Sequence, residues 1–145
     1  MTDPASFADL LAGSYLRLTG RPLVPDGLHG PEAAAWLGAA PFGLLAHDTS
    51  PDPVFVYANR TAQELFGYDT DELVGLPSRL SAGAQDRDER RAFMESVRRD
   101  GYADDYRGPR VRKDGGRFWI EDSTVWNLVD GGALVGQAAQ IRSWT

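Results

Sequence analysis

The hydrophobic period changes along the chain, and each change marks an element. Over residues 3–18, "DPASFADLLAGSYLRL", Phe7, Leu10, Leu11, Tyr15 and Leu18 recur at helical spacing near one face. Pro4 suits the first turn of that helix. "TGRPLVPDGLHGP" (19–31) reads as a Gly/Pro-rich linker, and "PEAAAWLGAA" (31–40) as a short helix opened by Pro31 and Glu32. Residues 1–40 are therefore expected to form a helical cap and linker, and residues 41–145 the main unit.

The main unit opens with strands. "FGLLAH" is a short apolar strand, "DTSPDP" a turn, and "VFVYA" a second strand rich in β-formers. Asn59 is placed to cap a helix carrying Ala62, Leu65 and Phe66. "DTDELVG" opens another short helix, with Asp69 or Thr70 as cap and Glu72 in its first turn. "DRDERRAFMESVRRDG" (86–101) is a charged helix with a narrow apolar stripe at Phe93, Met94 and Val97, stopped at Gly101. From residue 102 the pattern becomes that of a meander. "YADDYRGPRVR", "RFWIEDSTVWNLV" and "ALVGQAAQIRSW" are three strands, separated by "KDGG" and "VDGG", and Asp-Gly is a strong hairpin signal. Two strands, several short helices and a three-stranded meander make an α+β unit.

Composition narrows the function classes. A chain of 145 residues fits one domain. The net charge of −6 argues against nucleic acid, whose binding relies on a basic stripe, and against an anionic membrane surface. There is no cysteine, which excludes disulfides, thiolate metal sites and cysteine nucleophiles, and is compatible with a reducing cytoplasm. "MTDPASFADLL" lacks the basic region and apolar core of a secretory signal, and no apolar run approaches the ~20 residues of a membrane helix.

The order of elements resembles that of a PAS domain, which implies a five-stranded antiparallel sheet with short helices on one face. "LLAHDTSPDPVFVYANRTAQELFGYDTDELVG" and "RKDGGRFW" are similar to the light-oxygen-voltage branch of that fold. A closer resemblance is to the PAS-related MEKHLA domain, whose bacterial members are small proteins similar to this one in "SYLRLTGRPLVP", "LPSRLSA", "DDYRG", "VWNLVD" and "GQAA". The resemblance spans most of residues 14–144. It implies fold and family more than function, because one fold hosts many ligands or none.

Light-oxygen-voltage domains carry "GRNCRFLQ" where this chain has "GLPSRLSA", so Ser78 stands at the reactive cysteine position. A serine hydroxyl is far less acidic and nucleophilic than a thiol and forms no flavin adduct. The resemblance places the three ring-holding amides at Arg110, Ile120 and Ala138, and none is an amide here. Gln137 is one position off, which turns it to the opposite face of a regular strand. No flavin is expected. No haem is expected either, since His29 falls in the linker and His47 at the end of the first strand.

Matching Arg110 and Ile120 to ring-contacting positions sets the strand parity. Tyr106, Gly108 and Arg110 then face the pocket, with Phe118, Ile120, Asp122, Thr124 and Trp126 beside them and Gly136, Ala138 and Gln140 on the last strand. His47, Asn59, Ser78 and Arg79 complete the candidate ligand-binding set; no metal site is expected. Arg110 and Asp122 are either a structural ion pair or ligand contacts. Trp119, Val125, Val135 and Ile141 are expected on the outer face, covered by the N-terminal helix or by a second copy, so the resemblance also implies a homodimer through that helix and face.

Three functions compete. The first is a stand-alone small-molecule-binding or sensory module acting through oligomerisation or a partner, since no output domain follows the last strand. The second is a small cofactor-free enzyme, an isomerase, cyclase or hydrolase, with His47, Asp105, Tyr106 and Asp122 as candidate acid/base groups. The third is an interaction module with a filled core.

Overall fold

The computed structural model describes residues 3–145. Helix α1 (Pro4–Thr19) starts where the Asp3 carboxylate accepts the N–H of Ser6 at 3.1 Å. It stops at Gly20, whose left-handed φ of 75° lets its N–H reach Leu16 O. Helix α2 (Gly30–Gly38) is tied to α1 by the Gly30 N–H, which donates to Asp9 at 2.8 Å. Strands β1 (Gly43–His47) and β2 (Phe55–Ala58) follow, then α3 (Arg60–Phe66), α4 (Thr70–Leu73) and α5 (Arg87–Asp100). A capping box between Asp69 and Glu72 starts α4. Strands β3 (Tyr102–Ala103), β4 (Gly108–Val111), β5 (Arg117–Asp130) and β6 (Ala133–Trp144) complete the sheet. Gly131 and Gly132, both at positive φ (59° and 84°), make the β5–β6 turn expected from "VDGG".

The sheet is antiparallel in the order β2-β1-β6-β5-β3, with β4 also on β5. It has six strands rather than five because the strand expected over 102–112 is broken. Asp105 adopts a φ of 62°, a left-handed conformation no continuous strand allows. Both pieces keep one register on β5, with Tyr102 opposite Trp126 and Gly108 opposite Ile120.

Helices cover both faces. α1 and α2 lie on one face, where Leu11, Tyr15 and Leu37 pack with Leu44, Trp126 and Leu128. The Tyr15 ring meets Trp126 edge-on at 4.8 Å between centroids. α3 and α4 lie on the other face, where Leu65, Phe66 and Leu73 pack with Leu45, Phe118 and Ile141.

One irregularity decides which residues share a face. β5 and β6 pair regularly from Ser123–Ile141 to Leu128–Gly136, and again at Ile120–Trp144, but slip between, at Glu121–Asp122 against Arg142–Ser143. Two residues of each strand take up the slip and the register is the same beyond it, but the alternation of faces reverses, so that Ile120 and Ser123 both line the inner side. The parity carried from Ile120 along β5 therefore fails after residue 121. Asp122, Thr124 and Trp126 turn to the face under α1 and α2, and Ala138 and Gln140 of β6 lie there with them. Val125 and Ile141, expected outside, line the inner face instead. Trp119 and Val135 do stay outside, at 46% and 40% exposure.

Asn59 joins the two helical layers. Its side chain is 2% exposed and spends every hydrogen-bonding site on backbone. Oδ1 accepts from the N–H of Leu44 in β1 and of Ala62 in α3; Nδ2 donates to the carbonyls of Leu37 at the end of α2 and Phe42 before β1, all at 2.9–3.0 Å. The helix cap expected from the sequence is one of four bonds. Asn59→Ala should lower unfolding free energy by about 3–5 kcal/mol, since it removes a cap and strands buried backbone groups. Urea denaturation measures this; a loss under about 1 kcal/mol, the size of a single exposed cap, would show that water replaces the amide.

Candidate functional site

The inner face of the sheet and α5 enclose a cavity of about 40 Å³, counted as space open to the centre of a water molecule. Its walls are mostly apolar: Leu45, Phe55, Phe66, Ile120, Val125 and Ile141. Its polar groups are His47, Ser81, Arg90, Tyr106, Arg110, Ser123 and Gln137. No Asp or Glu lines it.

Each polar group is set by its element. β1 ends in a bulge at Ala46–His47, which buries His47 at 8% exposure. Its Nδ1 lies 2.9 Å from the Asp48 carbonyl, whereas Nε2 is buried with no partner. A Cβ at Gly136 would sit 2.4 Å from the His47 carbonyl oxygen, so β6 needs glycine there to approach β1. Burial, then the charge of Arg90, depresses the imidazole below its ordinary 6.5, so it is neutral at physiological pH. On β4, Arg110 is 5% exposed, donates to the Pro109 carbonyl at 2.7 Å and lies 5.0 Å from the Tyr106 ring centroid. The other face of that assembly is Phe93 of α5, 4.3 Å from Tyr106 between centroids.

Arg90, from α5, has a buried Nε with no partner, and burial with the nearby charge of Arg110 pulls its pKa down to about 10. The ion pairs of the described residues include neither Arg90 nor Arg110. A groove between the Asp48–Pro53 turn and α5 leads from the surface to the cavity, sharing His47, Arg90, Met94 and Gln137 with it. Ser78, 1% exposed with its Oγ unpartnered, lines this groove.

The expected site residues thus divide. His47, Tyr106, Arg110 and Ile120 meet at the cavity, and Ser78 at its approach. Asp122 does not: the bulge sends it outward, where it takes a bidentate contact from Arg142 at 2.9 Å, and no Arg110–Asp122 pair forms. Gln140 accepts from Arg142 and Thr124 donates to Asp104 on that same outer face. Trp126 packs under Tyr15, Asn59 is structural, and Arg79 is exposed beside Asp52. Asp105 is exposed on the β3–β4 break. Gln137 comes to the pocket face, opposite to expectation, and its Nε2 donates to Met94 O of α5 and to Asn127 Oδ1, each at 3.1 Å.

Arg90 was not singled out from the sequence, although a signal existed. It lies three residues before Phe93, four before Met94 and seven before Val97, on the only apolar stripe of that helix.

The single antiparallel sheet with helices on both faces and a cavity beneath α5 defines a PAS-type fold. Solved structures agree: the PAS domain of a protein from Colwellia psychrerythraea matches with TM-score 0.67 and 18% identity, over 76% of this chain and 92% of that one. An RNA-binding light-oxygen-voltage receptor matches with TM-score 0.69 and 22% identity, over 83% of this chain and 35% of that one. The light-oxygen-voltage domain of a blue-light activated histidine kinase from Erythrobacter litoralis matches with TM-score 0.58 and 23% identity, over 70% and 95%. The chain belongs to the MEKHLA domain family, whose model matches residues 5–145. No curated protein matches it.

A light-oxygen-voltage domain studied with a flavin analogue is another structural neighbour. The cavity of this chain does not fit that group. Its open space is on the scale of a few waters rather than a three-ring system. Arg110 and Ile120 line it from β4 and β5, and the Gln137 amide is tied to α5 and Asn127. No helix of the described residues is long and apolar enough to cross a membrane, and no three of their His, Asp and Glu side chains cluster as metal ligands.

Two outcomes follow. Arg110→Met, which keeps the side-chain volume and removes an uncompensated buried charge, should leave stability unchanged or raise it by up to about 2 kcal/mol, whereas Asp122→Ala should cost under about 1 kcal/mol. Denaturant midpoints read both; a loss of about 3 kcal/mol for Arg110→Met would mean the guanidinium is paired. Stability should also fall as pH drops from about 6.5, because the unfolded chain then takes up a proton that folded His47 refuses, and should be full above it. His47→Gln should flatten that slope in melts between pH 5 and about 7; an unchanged slope would assign it elsewhere.

Proposed function

We propose that this chain is a small-molecule-binding sensory module that uses the cavity under α5, without flavin or haem. The observation that carries the reading is a set of buried polar atoms with no protein partner: His47 Nε2, Arg90 Nε and, at the approach, Ser78 Oγ. Native proteins satisfy nearly all such atoms, so three around one cavity and its entrance argue for a ligand that completes them. The alternative, a cofactor-free enzyme, is less well supported. Of its four candidate acid/base groups only His47 and Tyr106 reach the cavity, while Asp105 is exposed and Asp122 is paired with Arg142. In this reading the module signals through a partner or a second copy, with α1 and its exposed Leu16 as the contact.

Native mass spectrometry of protein purified without added ligand, with its absorption spectrum, tests this. The expected result is a small mass excess lost on denaturation, and no band of oxidised flavin or haem. A flavin or haem band would overturn the cofactor-free part. A bare mass, together with no chemical-shift change of cavity residues against a fragment collection, would overturn the binding module.

A further inference from the structure

The inner cavity holds two guanidinium groups and no carboxylate. Arg110 is 5% exposed and Arg90 has its Nε out of contact with water, yet neither belongs to an ion pair of the described residues. Leaving like charges unpaired close together, Arg110 buried and Arg90 half-buried, is costly, and a chain of 145 residues with a net charge of −6 has no shortage of carboxylates to offset them. The acids nearest in sequence are turned away: Asp122 is paired with Arg142, Asp104 with Arg21, and Asp48 accepts from Ser50 and Val54 in its own turn. The missing negative charge is therefore left to something that enters. The guanidinium pair supplies the free donors here, since the Nδ1–H of neutral His47 faces the Asp48 carbonyl and the Ser81 hydroxyl donates to the Ser78 carbonyl; much of the remaining wall is hydrocarbon.

Resting on the binding reading above, we infer that the ligand is a small organic carboxylate with a short apolar tail, its carboxylate between Arg90 and Arg110 and its tail against Leu45, Phe66, Ile120 and Ile141. The fork of donors on a guanidinium matches a carboxylate, and an ionised acceptor makes the stronger hydrogen bond. An apolar tail fits the walls in a way that a fully hydrated inorganic anion does not. The approach is complementary too. The groove is lined by Arg79, Arg87, Arg90, Arg91 and Arg98 against Asp48, Asp52 and Glu95, a local excess of two positive charges on an acidic protein. Such a patch draws anions toward its mouth.

The test uses the full chain and four probes: butyrate and benzoate, and their neutral isosteres butyramide and benzamide, with inorganic phosphate as a fifth and ionic strength held constant with chloride. Both carboxylates should raise Tm, by about 3–6 °C at ten times their Kd, and neither amide should. Calorimetric titration should show affinity for benzoate falling at least about tenfold in Arg90→Met and in Arg110→Met, with Arg110→Lys in between. Should a variant fail to fold, the acid-against-amide comparison on the unmodified chain decides alone. Equal effects of acid and amide overturn the carboxylate assignment and leave the module reading standing. A larger shift with phosphate than with either carboxylate overturns the apolar-tailed class. No shift with any probe overturns the assignment; if the native mass is also bare, the module reading falls with it.

Discussion

The fold turns on one buried amide. Asn59 lies between two strands and two helices and all four of its side-chain hydrogen bonds go to main chain. Asp in its place would keep the two accepted bonds and lose the two donated ones, while burying a charge; Ser would keep the cap alone. Only an amide satisfies β1, α2 and α3 together. Through this residue the helical cap (1–40) is wired to the first strand, so that the cap and the sheet form one hydrogen-bonded body. β1 in turn delivers His47 to the cavity and forms the close crossing with Gly136.

Much of this was legible in the sequence. Period, caps and Asp-Gly turns located the helices and hairpins, since those signals are local and the structure uses them locally: Asn59 and Asp69 cap, and Gly101 stops its helix. The side chains that face the cavity were legible only up to residue 121. Alternation is a reliable guide as long as the pleat is unbroken, and here it breaks at one level across adjacent strands: Glu121–Asp122 on β5, Arg142–Ser143 on β6, and Asp105 between β3 and β4. Nothing in "WIEDSTVW" announces a bulge. Asp122, Thr124, Trp126 and Gln140 were consequently assigned to the cavity, and Gln137 away from it.

The bulge sorts charge as well as faces. On the outer side Asp104, Asp122, Arg21 and Arg142 neutralise one another in partly solvated pairs, with Thr124 and Gln140 as neutral links. On the inner side are arginines without acids. Had β5 stayed regular, Asp122 would stand beside Arg110 and offset one of the two cavity arginines. A single break in the alternation thus separates a surface network from a charged interior, and this distinction no residue-by-residue comparison with a regular strand discloses.

Helix α1 also serves the sheet at its edge. β5 runs past the end of the two-residue β3, and beyond it Val129 has β6 on one side and no strand on the other. Ser14 fills the gap: its Oγ accepts from Val129 N at 3.1 Å and donates to Val129 O at 3.5 Å, while Arg17 donates to the same carbonyl at 3.2 Å. Side chains of a helix here make the bonds that a further strand would make. A bare strand end is a template for pairing between molecules, so α1 acts as a plug against edge-to-edge assembly, and the same two residues are where a partner strand, given the chance, would compete with it.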